Sequence, residues 1–285
     1  MDSAVHDDVI FRELEQADLV EAQALSHEAG WPHRVEDWRL VHQIGHGYAA
    51  VERGHVVGTG LWWAYGERFS TLGMILVSPR LQGRAIGLRL MQALIDAAGE
   101  RAILLNATTA GLRLYEKTGF RPIGAIHQHQ GAAFAVPVAP LGRGERIRPI
   151  SAADYDRLVA LDTAASGMPR GKMIAALLQV ASGVALDCEG EAIGFALFRR
   201  FGRGYVIGPV IAPDEDRAKI LINHWMGTHS GMFIRVDVPD DSGLSGWLEE
   251  CGLPRVGGVT TMVRGEAPLR EGSCRIFALV NQALG

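Results

Sequence analysis

The feature that most constrains this chain is an internal repeat. Residues 10–25, IFRELEQADLVEAQAL, match 146–161, RIRPISAADYDRLVAL, and residues 50–61, AVERGHVVGTGL, match 186–197, LDCEGEAIGFAL. Further on, MILVSP (74–79) matches GPVIAP (208–213), and LYEKTGF (114–120) matches WLEECGL (247–253). Blocks in one order at a nearly fixed offset mark a duplicated unit. In each copy a short Arg-bearing strand, a turn and an Ala-Asp pair open a helix. Asp18 and Asp154 suit an N-cap or first helical turn, where the dipole favours an acid. Tight turns at Gly54 and Gly190 join two strands into a hairpin. A glycine closes the last helix of each copy. Strands and helices in this alternation predict an α/β fold with a mixed sheet, built as two similar domains.

The expected boundaries are 1–140 and 147–267, with a Pro/Gly-bearing linker at 141–146 and a tail at 268–285. The tail has no counterpart in the first copy, and its pattern fits a strand or a short helix packing back on the body. Of 285 residues, 48% are hydrophobic and 21% charged, the balance of a soluble globular protein. The net charge of −4 gives no basic field to draw nucleic acid or an anionic membrane. Cys188, Cys251 and Cys274 are odd in number and form no CxxC, which points to a reduced, cytoplasmic setting. The opening residues lack the basic-then-apolar build of a signal peptide, and no apolar run reaches the roughly 18 residues of a membrane span. His42 and His46 have the spacing of a metal pair, but without a third ligand a solvated helix face is expected and no metal.

One junction stands out in the first copy. The apolar run MILV (74–77) gives way to Gln82-Gly83-Arg84-Ala85-Ile86-Gly87, and then to a helical pattern from Leu88. A helix N-terminus exposes unpaired N–H groups with a partial positive charge, and glycines let those groups converge on an anion. The junction therefore fits a pyrophosphate cradle with Arg84 adding fixed charge, or a tight turn holding nothing. It is neither a Walker A motif nor a GxGxxG loop.

QGRAIG after a strand, followed by ATTAGLRLYEKTGF (107–120), resembles the GNAT superfamily of N-acetyltransferases. The resemblance implies a tandem acyl-CoA N-acyltransferase fold with acetyl-CoA as co-substrate. Its pyrophosphate would lie on Gln82, Gly83, Arg84, Ala85, Ile86 and Gly87. The pantetheine arm would pair with the strand at Leu76 and Val77, and Thr108, Gly111 and Tyr115 would complete that side. Ala85 replaces a glycine of the motif, which is tolerable if its φ stays negative. Thr108 replaces an asparagine.

Tyr115, still protonated at neutral pH, is placed by the resemblance to give a proton to the departing thiolate; packing in the core is the alternative. The N–H near Val77 would hold the carbonyl oxygen. His27, Glu28, His33, Asp37 and Glu67 are candidate bases, a water relay being equally open. Glu28, Trp31 and the rest of 29–32, with Trp62, Trp63 and Tyr65, could line the acceptor side. Trp62 and Trp63 are adjacent and so on opposite faces of a strand.

In the second copy the junction reads APDEDRAKIL (212–221). With Pro213 on Pro79, Asp214, Glu215 and Asp216 fall where a pyrophosphate would lie and would repel it. Leu248 stands at Tyr115. The second domain is thus expected to be degenerate. The overall expectation is acetyl transfer to a small-molecule primary amine by direct attack in a ternary complex, in a monomer with pseudo-dimeric domains or a homodimer. A non-enzymatic acyl-CoA sensor and a protein lysine or N-terminal acetyltransferase are the rivals.

Overall fold

In a computed structural model, residues 9–285 are described. The first copy runs β1 (Val9–Glu13), α1 (Leu19–Glu28), α2 (Val35–Gln43), β2 (His46–Glu52), β3 (His55–Tyr65), β4 (Phe69–Val77), α3 (Ile86–Ala98), β5 (Ala102–Ala107), α4 (Leu112–Lys117) and β6 (Arg121–Ala132). The second repeats that order: β7 (Glu145–Pro149), α5 (Tyr155–Ser166), α6 (Gly171–Leu178), β8 (Ser182–Cys188), β9 (Glu191–Phe201), β10 (Gly204–Ala212), α7 (Glu215–Thr228), β11 (Phe233–Pro239), α8 (Ser245–Glu250) and β12 (Arg255–Arg264). β13 (Arg275–Ala278) follows, so the tail supplies a strand. β7 begins at Glu145, inside the stretch expected to be linker. No helix among the described residues is long and apolar enough to cross a membrane.

The repeat is visible at single bonds. Arg12 grips Asp18 through two hydrogen bonds of 2.6 and 2.8 Å, and Arg148 grips Asp154 through two of 2.9 and 2.7 Å. Neither aspartate caps the α-helix that follows it with its side chain. Each reaches back instead, accepting from the N–H of Glu15 or Ser151 and closing the turn before the helix.

All the strands join one sheet, in the order β1-β2-β3-β4-β5-β12-β6-β11-β10-β9-β8-β7, with β13 on β10. The two copies trade their last strands. β12 lies between β5 and β6, pairing Thr260 with Ala107 on one side and with Ala125 on the other. β6 in turn pairs with β11, from Phe233↔Ala132 to Pro239↔Ile126. On one face of the sheet, a single core joins α1 and α2 to α5 and α6, with Trp38, Trp63, Leu158 and Phe195 among its buried members. On the other face α3 and α7 pack over their own copies.

Helix α3 shows why the sheet is built with small residues beneath it. Ile86, Leu90, Met91, Leu94, Ile95 and Ala98 recur at helical spacing and are all buried. Fully burying Leu90, Met91 and Leu94 contributes roughly 1.5–3 kcal/mol each. The helix can lie close because β3 carries Gly58 and Gly60 below it: a Cβ on Gly60 would fall 2.7 Å from Leu94 Cδ1.

Candidate active site

β4 and β5 are parallel from Phe69↔Ala102 to Leu72↔Leu105 and then part. The parting coincides with a bulge. Met74 has φ +53, its carbonyl accepts from Thr59 Oγ1 at 2.8 Å, and the β3–β4 register slips there. Bulges bend a strand and re-aim its groups. Beyond Met74, one edge of β4 faces an open fork. Ser78 N–H donates to Val57 O at 2.8 Å, so Ser78 and Leu76 turn their backbone groups toward β3. By strand alternation Val77 and Ile75 turn theirs into the fork. Of the two strand residues expected to meet a ligand's arm, Val77 therefore faces the fork. Leu76 faces β3, and its side chain is buried in the core.

The chain then leaves β4 through Pro79–Leu81 and reaches α3 along Gln82–Ala85, which is fully exposed. Gly83 has φ +81. Ala85 has φ +57, so the expectation that its φ would stay negative is overturned: an L-residue occupies the left-handed region that a glycine takes without strain. Among the described residues no side chain caps α3, and none accepts from its first N–H groups. A Cβ on Gly87 would meet only Val77 Cγ2 and Leu114 Cδ2, at 3.6 and 3.7 Å, so protein packing alone does not demand glycine there.

Tyr115 approaches from α4. Its ring lies flat against Gly111, where a Cβ would come within 2.6 Å of Cε2, and it belongs to the same buried cluster as Leu72, Leu105 and Ala107 beside the fork. Burial pushes its pKa up to about 12. Thr108 precedes α4, its carbonyl accepting from Gly111 N–H at 2.9 Å.

The five candidate bases have different surroundings. Glu28 is tied to the end of β4, accepting from Ser78 Oγ at 3.2 Å. Asp37 accepts from Arg34 and from Gly202 N–H of the second copy, and so pins the two copies together. His33 is half-buried, and desolvation pushes its pKa down to about 4 and keeps it neutral. His27 is exposed and bonds His33 O. Glu67 lies on the turn before β4, at the end far from the fork. Among the aromatics, Trp63 is core, its indole donating to Val41 O, while Trp62 faces the α3 side as adjacency required. Trp31 packs against the core, 5.7 Å from the His33 ring. Tyr65 donates to Leu284 O and so clamps the tail. His42 and His46 do not share a helix: α2 ends at Gln43, His42 bonds Leu14 O, and His46 leads β2 against Trp62.

The second copy has the corresponding fork between β10 and β11, and it is filled. These strands pair only at Tyr205↔Ile234 and Val206↔Arg235. β13 then takes the edge of β10, pairing with Val210, Ile211 and Ala212, and Leu279 N–H donates to Asp237 O of β11 at 2.8 Å. Val210 and Ile211 are the counterparts of Leu76 and Val77. The N-terminus of α7 is closed too, since Asp214 Oδ1 accepts from Arg217 N–H at 2.9 Å.

After β13 the tail crosses to the first copy. Gln282 O accepts from Asn106 Nδ2 at 2.9 Å, and Ala283 lies against Gly73 where β4 and β5 part. Beneath this tail is a cavity of about 460 Å³ bounded by Thr71, Leu104, Asn106, Ile126, Met168 and Arg170. Met74, Asn106, Arg170 and the tail were not foreseen. Asp162, the partner of Arg170, carried a signal: it is an acid on the apolar face of a helix.

An open β-fork with a bare helix N-terminus at its mouth defines the acyl-CoA N-acyltransferase class. The comparisons agree for both copies. Residues 11–120 match the acetyltransferase (GNAT) family model, and residues 158–278 match an acetyltransferase (GNAT) domain model. The chain belongs to the GNAT acetyltransferases, as a tandem member, and is an N-acetyltransferase enzyme. It is 29% identical over 269 residues to the uncharacterized N-acetyltransferase YitH of Bacillus subtilis, covering 92% of this chain and 93% of that one. It is 22% identical to the holothin acyltransferase of a Pseudoalteromonas species over 225 residues, 78% of this chain and 75% of the other. A crystal structure of a Pyrococcus horikoshii protein assigned as an acetyltransferase superposes with a TM-score of 0.81 at 17% identity, covering 100% and 99% of the two chains.

Proposed function

We propose that the chain transfers an acetyl group from acetyl-CoA to the primary amine of a small molecule, in its first copy only and by direct attack. The observation that carries this reading is the contrast between the two forks: one is open beneath an uncapped helix, the other filled by the chain's own strand beneath a helix capped by its own aspartate. The carrier, when bound, supplies an activated thioester. Gln82–Gly87 would hold its diphosphate on helix N–H groups, and the fork-facing backbone of Ile75 and Val77 would pair with its arm. The fork-facing N–H near Val77 would donate to the carbonyl oxygen as charge develops there.

Tyr115 would give the departing thiolate its proton. With a pKa of about 12 it stays protonated across the working range, so it serves as an acid and not as the base. All three cysteines lie outside the first copy, and burial pushes Cys251 up to about 11, which supports direct attack over an acetylated enzyme. The holothin acyltransferase among the relatives favours a small acceptor over a protein.

Tyr115→Phe tests the reading. Turnover in an amine panel should fall about 10²- to 10³-fold while the coenzyme A Kd stays within about threefold. Undiminished turnover, or failure of the native protein to take up coenzyme A in calorimetry, would overturn it.

A further inference from the structure

The cavity under the tail has mostly apolar walls, from Leu104, Ile126, Met168, Ile276 and Leu279. Charged groups also border it: Asp240, Asp241 and Arg270 at its rim, and Arg170 in its wall. Arg170, between α5 and α6, is fully buried, and two of its nitrogens are spent on Asp162: Nε donates to Oδ2 at 2.9 Å and Nη2 to Oδ1 at 2.6 Å. Its third nitrogen, Nη1, is buried and has no hydrogen-bond partner among the described residues. Gly285 packs beside it, yet no oxygen there accepts from it. Leaving a buried donor unmet is costly, more so when it is charged. The Asp162 pair fixes the guanidinium so rigidly that Nη1 cannot turn away to find a partner elsewhere. The cavity also reaches Thr71, Asn106 and Ala283, where β4 and β5 part.

We propose that this cavity is the acceptor subsite and that it selects primary amines whose frame also carries a carboxyl-derived oxygen, a carboxylate or a carboxamide, received by Arg170 Nη1. The inference rests on the acetyl-transfer reading for the direction in which the amine points, toward the fork. Asp162 already balances the guanidinium charge, so a neutral amide oxygen and a carboxylate are both admissible. The apolar walls suit an aliphatic or aromatic body between the two ends. Arg170 is a specificity residue here and touches no reacting atom.

The test uses leucine, leucinamide and 3-methylbutylamine as one matched set, and phenylalanine, phenylalaninamide and 2-phenylethylamine as another. The intact protein should favour one or both oxygen-bearing members over the bare amine by about 10- to 100-fold in kcat/KM. Which member leads identifies the oxygen. Arg170→Met alone would strand Asp162, so the informative variant is Arg170→Met/Asp162→Leu, because replacing a buried pair with apolar groups preserves folding better than breaking it. In that variant the preference should fall to about one. Calorimetry of the same compounds without the carrier gives a second readout. If binding discriminates but no acetyl is transferred, the subsite stands and the acetyl-transfer reading falls. If acetyl is transferred equally to all members of a set, or if no member binds or reacts, the subsite is overturned.

Discussion

Ala85 is the residue whose conformation departs most from its chemistry. It precedes α3 in the left-handed region, where a Cβ meets the following carbonyl at a cost of roughly 1–2 kcal/mol. It also occupies an N-cap position, at which alanine is among the poorest residues. Ala85→Gly should therefore raise the unfolding free energy by about 0.5–1 kcal/mol, after the entropy of an added glycine is counted. The midpoint of a urea transition measures this, and a lower midpoint would show that the methyl group makes a contact worth more than the strain. The junction itself was legible because glycines and an arginine interrupt two apolar patterns. Met74 was only half so, since Gly73 within a strand hints at a bulge but does not say that Met74 takes the left-handed conformation. The salt bridge between Asp162 and Arg170 was half legible: an acid among Leu158, Leu161 and Ala165 announces a buried partner, but that partner lies eight residues on, across a helix break.

Among elements, the two forks differ first in what occupies them. A strand edge left without a partner must be satisfied by water or by a ligand, whereas β13 satisfies the corresponding edge of β10 permanently. One carrier should therefore bind per chain. Titration calorimetry with coenzyme A should return a stoichiometry of one, and a value of two would mean that β13 leaves its place. The hairpins and both central helices were readable from turn glycines and 3.6-residue spacing. The tail was not. CRIFALV suits a strand or a helix equally, and the choice is made by a partner some sixty residues away in sequence, beyond the reach of any local pattern.

At the scale of the molecule, the duplication was legible and the strand exchange was not, and the first explains the second. Because the copies are alike, the final strand of either one fits the vacancy in both, and residue patterning cannot say which pairing forms. The exchange makes the copies interdependent. Residues 1–140 and 141–285 produced separately should each lack a cooperative thermal transition by circular dichroism, and should recover one when produced together. A cooperative, monomeric first copy on its own would contradict this. The exchange also sets an order of events at the ribosome. The sheet of the first copy lacks the strand that lies between β5 and β6 until residue 264 has left the exit tunnel, so the half that emerges first is the half that must wait. In that interval its unpaired β5 edge is a template on which other nascent chains can pair, for a time set by the length of the second copy.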